Sequence, residues 1–157
     1  MKKSLVLLAL VFLPGTGAAA QEVKELIYLP SARLVEAIRA ASAAAPAPVV
    51  ATTLEQRDDH ASIMVRRTES SGPELHEAFD DVYIVHEGAA VLVYGGTYEG
   101  AQTTEPGELR GGTITGGTRQ ALAPGDVVVV PAEVPHQVVI ETGKSIIYHV
   151  IKVRRGK

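Results

Sequence analysis

The sequence predicts an all-β domain, a jelly-roll-like barrel preceded by a short N-terminal helical extension, and two observations carry that prediction. From about residue 60 the chain breaks into short runs rich in β-branched residues, each closed by glycine, proline or aspartate. Strands that short and that closely spaced make a sandwich or a barrel. The second observation is size: 157 residues, 46% of them hydrophobic, supply one core and not two. There is no cysteine, so that core must suffice without disulfides, and any metal site must use nitrogen and oxygen ligands.

Residues 1–20 have the layout of a secretory signal peptide: Lys2-Lys3, an apolar run from Leu5 to Leu13, a Pro14-Gly15 break, then Ala18-Ala19-Ala20 before Gln21. The run is much shorter than the roughly 20 residues that span a bilayer, so no stable membrane insertion is expected after cleavage. An exported protein is expected, periplasmic or extracellular. Cleavage would remove Lys2 and Lys3 and take the formal charge from −3 to −5. The basic clusters Arg66-Arg67 and Lys152 to Lys157 are too short to track phosphates, so no nucleic-acid partner is expected.

Residues 21–58 read as a helical and extended segment. Ser31 follows Pro30 as a helix cap, Leu34, Val35 and Ile38 form one stripe, and Pro46 and Pro48 stop the helix. A helix this short needs a larger surface, either a barrel wall or a dimer partner.

The barrel is expected over 59–157. Ala61, Ile63 and Val65 alternate with Ser62, Met64 and Arg66, and further strands follow at 82–85, 89–94, 113–114, 127–130, 136–140 and 146–153. The glycine- and threonine-rich stretch 97–117 reads as an excursion between two halves of the barrel, either shaping a pocket entrance or serving as a connector.

Glu74 and His76 stand two apart, hence on one face of a strand. Asp81 has the opposite parity and can rejoin them only if the chain turns within Glu77 to Asp80. His136 follows some sixty residues later, after the turn from Pro131 to Pro135. Tyr83 shares its parity with Asp81 and is the candidate proton-transfer residue, while Val85 and Val138 are expected to form an apolar floor. His60, His86 and His149 read as surface or packing histidines.

Two stretches resemble the paired motifs of the cupin superfamily. In the first, Glu74-x-His76, four residues, Asp81, six residues and Gly88 resemble its histidine-x-histidine, glutamate and glycine; in the second, Gly125, Pro131 and His136 resemble its glycine, proline and histidine. Glu74 stands where the family usually has a first histidine, Asp81 where it has glutamate, Glu133 where it has glycine, and Ile140 where asparagine is common. The resemblance implies a double-stranded barrel and a metal held by His76, Asp81 and His136, with Glu74 as a candidate fourth ligand. It also implies a homodimer and a small-molecule ligand.

Two histidines and a carboxylate leave open positions on a divalent transition metal, and Glu74 makes the set harder, favouring Mn, Fe or Zn while leaving Cu(II) compatible. The function that follows is a metal-dependent oxidoreductase, dioxygenase or isomerase acting on a polyhydroxy or carbonyl compound. The rivals are a non-catalytic binding module and a degenerate, metal-free barrel. A serine hydrolase is excluded for want of a Gly-x-Ser-x-Gly elbow, and the glycines at 111, 112, 116 and 117 lack the lysine of a phosphate loop.

Overall fold

A computed structural model describes residues 26–156, so the expected signal peptide lies outside the described residues. Helix α1 spans Ser31–Ala44. Pro30 takes the cap position with φ −58°, which suits a helix start, and no side chain caps the helix. Ser31 is therefore not the cap: it is the first helical residue, and its hydroxyl lies 3.4 Å from His86 Nδ1. Leu34 and Ile38 are buried against Met64 and Ile147, so the stripe lies on the outer wall of the barrel. Arg39 pairs with Glu87 at 2.6 Å on the same wall.

Thirteen strands follow among the described residues: β1 Val49–Gln56, β2 His60–Arg67, β3 Glu74–His76, β4 Phe79–Gly88, β5 Ala90–Tyr94, β6 Thr97–Glu99, β7 Gln102–Glu105, β8 Glu108–Arg110, β9 Thr113–Thr115, β10 Thr118–Leu122, β11 Val127–Val130, β12 His136–Val139 and β13 Ile146–Arg154. They form a five-stranded sheet β1-β2-β13-β4-β11, a six-stranded sheet β10-β5-β12-β3-β8-β7, and the separate pair β6-β9. The strand pairs are antiparallel throughout. Alternation puts Val65, Val85, Leu92, Val138, Ile146 and Tyr148 between the sheets as one buried cluster.

The barrel begins ten residues before the expected boundary at 59. β1 pairs with β2 from Val49↔Arg67 to Gln56↔Ala61. Its half-exposed edge position gives it little apolar alternation, which hid it in the sequence. The excursion at 97–117 contains four short strands, β6 to β9, and β8 joins the six-stranded sheet beside β3. Gly88 closes β4 at φ +77°, where a Cβ would collide with the carbonyl oxygen of Ser145, so this motif glycine is required twice over.

Candidate metal centre

The sheet topology explains how residues of opposite parity converge. β3 lies in the six-stranded sheet and β4 in the five-stranded one, so the chain crosses from one wall to the other at Glu77-Ala78. Glu74 and His76 therefore face inward from one side, and Asp81 faces them from the other. β12 lies beside β3 with His136 opposite Glu74 in register, which brings in the fourth residue.

His76, Asp81 and His136 are the buried polar or charged residues among those described. One oxygen or nitrogen atom from each of Glu74, His76 and His136 lies within 4.8 Å of the others. Asp81 Oδ2 is 3.3 Å from His76 Nε2 and 3.6 Å from His136 Nε2; Glu74 Oε1 is 3.6 Å from His136 Nε2. Glu74, His76 and His136 thus form one group that could hold a metal, and Asp81, paired with Lys152, lies beside both imidazoles.

Each imidazole is held by its other nitrogen. His76 Nδ1 lies 2.7 Å from Glu108 Oε2, and His136 Nδ1 lies 3.0 Å from the carbonyl oxygen of Val134. A proton on each Nδ1 makes these hydrogen bonds and leaves the Nε2 lone pairs directed at the shared point. Both Nε2 atoms are buried without a hydrogen-bond partner. The nearest polar groups to them are the carboxylates of Asp81 and Glu74, at 3.3–3.6 Å. Two imidazole nitrogens and the Glu74 carboxylate, with this outer support and Asp81 close by, fit a divalent transition metal.

The electrostatics are those of two carboxylates held ionised by cationic neighbours. Burial works against the charge on Glu74, but His136, Arg110 and His76 outweigh it and hold its carboxyl down at about 2. Burial likewise opposes ionisation of Asp81, and His136, His76 and Lys152 win, keeping it well below the usual carboxylate range. Burial depresses His136, yet Asp81 and Glu74 raise it to about 9, so the metal-free site carries an imidazolium between two carboxylates.

Tyr83 is buried two residues along from Asp81, with its hydroxyl 3.4 Å from Asp81 Oδ2 and its ring edge-on to His136. Burial, reinforced by the Asp81 charge, pushes its phenol well above the ordinary value, so it stays protonated. Val85 and Val138 are buried below the site as expected. His149 and His86 lie elsewhere: His149 Nε2 is 2.8 Å from Ser62 Oγ, and the two rings stack with centroids 6.5 Å apart. His60 pairs with Asp59 at 2.8 Å on the surface.

Three charged partners escaped the sequence reading. Glu108 supports His76, Arg110 pairs with Glu74, and Lys152 Nζ lies 2.9 Å from Asp81 Oδ1. Signals for them exist. Glu108-Leu109-Arg110 places two opposite charges on one strand face within a stretch rich in glycine and threonine, and Lys152 is a lone cation between Ile151 and Val153.

His136 rides on a loop with an unusual backbone. Glu133, where the family motif has glycine, takes φ 66° and donates its backbone N–H to the carbonyl oxygen of His76 at 2.8 Å.

No family model matches the chain, and no curated protein matches it. Solved structures do. TT1209 from Thermus thermophilus is 21% identical, with 71% of this chain and 88% of that one covered at a TM-score of 0.51. KdgF from a Halomonas species is 19% identical, covering 69% of this chain and 81% of its own at 0.49. A cupin superfamily protein from Desulfitobacterium hafniense is 20% identical, covering 67% and 76% at 0.48. Likeness at these identities concerns fold alone. What the likeness to TT1209 supports is a shared fold, an antiparallel double-stranded β-barrel, to which this chain adds an N-terminal helix.

Proposed function

We propose that this protein is an exported metal-dependent enzyme, an oxidoreductase, dioxygenase or isomerase, that acts on a small polyhydroxy or carbonyl compound at the mouth of the barrel. The observation that carries it is the convergence of Glu74, His76 and His136, whose donor atoms lie within 4.8 Å of one another, with each imidazole fixed through its Nδ1. His76, His136, Asp81 and Glu74 would hold Mn, Fe, Zn or Cu. The metal would supply Lewis acidity toward a substrate oxygen, with redox capacity if it is Fe, Cu or Mn. Tyr83 would donate a proton to the bound substrate. Glu108 fixes the His76 ring, and the valine floor excludes water from below.

Export is supported by the leader-like layout of residues 1–20, and a homodimer by the exposure of Leu26, Tyr28, Val127 and Val129. A second reading, a non-catalytic binding module, is favoured by one feature: Lys152 already neutralises Asp81 and would repel an incoming cation.

Elemental analysis of mature protein prepared without chelators, wild type beside His136→Ala, separates the two readings. Near-stoichiometric metal in wild type and its loss in the variant support the metal centre. A wild type that carries no metal, and gains no thermal stability from added Mn²⁺, Fe²⁺, Cu²⁺ or Zn²⁺, favours the binding module.

A further inference from the structure

Beside Glu74 and Asp81 lies a half-open cavity of about 240 Å³, lined by inward-facing residues of β1, β2, β4 and β13 together with Glu74 and Arg110. A second cavity, of about 310 Å³, shares Val49, Arg67, Glu74 and Arg110 with it and continues through the loop at 70–73 and Gly111. Arg67 and Arg110 therefore flank the passage from the outer cavity to the inner one.

Five charged residues line the inner cavity: Arg67, Arg110, Lys152, Glu74 and Asp81. Four of them are two ion pairs, Arg110 with Glu74 and Lys152 with Asp81. Arg67 is the fifth, and it makes no ion pair among the described residues. Its parity on β2 is that of Ala61, Ile63 and Val65, so it points into the barrel. Its Nε donates to the Tyr148 hydroxyl at 2.8 Å, and Tyr148 is itself buried. That bond fixes the guanidinium and leaves its terminal Nη atoms for another acceptor. A half-buried guanidinium without a counter-charge is uncommon, because burying a charge is costly unless it is paired.

We propose that Arg67 is the specificity-determining residue of this cavity and that the substrate is a small carboxylate, its acid group bound bidentately by Arg67. The choice of carboxylate follows from charge and shape: one fork-shaped cation of charge +1 matches one planar monoanion. A neutral polyol would leave Arg67 uncompensated. The inference deepens the metal-site reading and rests on it for the chemistry, but not for the recognition of charge.

The test is calorimetric binding of pyruvate, lactate and mandelate, each compared with its neutral amide. The titrations use Mn²⁺-loaded and metal-free mature protein, as wild type, Arg67→Gln and Arg67→Lys. At least one acid is expected to bind wild type about tenfold or more tighter than its amide, a preference that Arg67→Gln removes while metal content and thermal midpoint stay near wild type. Arg67→Lys keeps the charge without the fork and should hold an intermediate preference, which guards against a folding defect in the glutamine variant.

Equal binding of every acid and its amide, or a preference that survives in Arg67→Gln, would overturn the proposal. So would displacement of the acids by inorganic phosphate at equal concentration, which would point to a general oxyanion site. Failure of the metal reading looks different: no Mn²⁺ is bound, yet the acid preference persists in the metal-free protein.

Discussion

Along β4 the inward side chains run Asp81, Tyr83, Val85, and along β12 they run His136, Val138, so two residues of strand separate a charged end of the barrel from an apolar one. Each end has fully buried side chains: His136 and Leu92 are each 1% exposed. Their energetics run in opposite directions. Each large apolar side chain at the floor contributes about 1.5–3 kcal/mol by leaving water. The mouth gathers ionised groups whose desolvation costs several kcal/mol apiece and is only partly returned by their mutual attraction. The same fold thus stabilises itself at one end and holds a costly, pre-oriented set of donors at the other. A costly arrangement held by several supporting contacts points to a binding role for that end.

The sharpest way to break the comparison is to damage one end and read the other. Leu92→Ala should lower unfolding free energy by about 2–5 kcal/mol in denaturant titrations while metal stoichiometry at low denaturant is unchanged. If metal is lost along with stability, the two ends are not independent. Glu108→Gln attacks the mouth indirectly, since it weakens the acceptor that fixes His76 without touching a ligand. Metal affinity should fall about 10–100-fold with little change in the unfolding midpoint of the metal-free protein.

A pH series sharpens the same contrast. In the metal-free protein His136 is raised from 6.5 to about 9, so its contribution to stability is complete below 6.5 and is lost as pH rises through 9. Glu74 is lowered from 4.5 to about 2, so its contribution is complete above 4.5 and is lost as pH falls through 2. The contribution of this pair should therefore be flat from about 4.5 to 6.5 and decline on both sides. Metal uptake must expel the His136 Nε2 proton, so affinity should rise up to about tenfold per pH unit between 6.5 and 9. The floor has no such groups, and the denaturation cost of Leu92→Ala should not vary over that range.

The smallest effect concerns the loop that presents His136. Glu133 holds a positive φ that glycine adopts freely, so Glu133→Gly should stabilise the protein by about 1 kcal/mol in thermal unfolding and leave metal content unchanged. A destabilised variant would show that the Glu133 side chain contributes more than its exposed position indicates.

The comparison also explains what the sequence made legible. Strand parity is local, so the inward placement of Asp81, Tyr83, Val85, His136 and Val138 could be read directly, and the motif spacing brought Glu74 and His76 to the same place. The helix stripe was legible for the same reason, since Leu34 and Ile38 recur at helical spacing. What could not be read depends on strand neighbours far apart in sequence. Glu108 reaches His76 only because β8 pairs with β3, and Lys152 reaches Asp81 only because β13 pairs with β4. β1 was missed because an edge strand half open to water lacks the alternation that announces a buried one.

The central claim is that the charged end of the barrel is a metal centre built on two imidazoles. X-ray absorption of the Mn²⁺- or Zn²⁺-loaded mature protein tests it most directly, because multiple scattering from imidazole rings counts them. The account predicts two imidazole nitrogens from His76 and His136, with oxygen donors completing the shell and no sulfur. A shell of oxygen atoms alone, or one unchanged in His136→Ala, would contradict it.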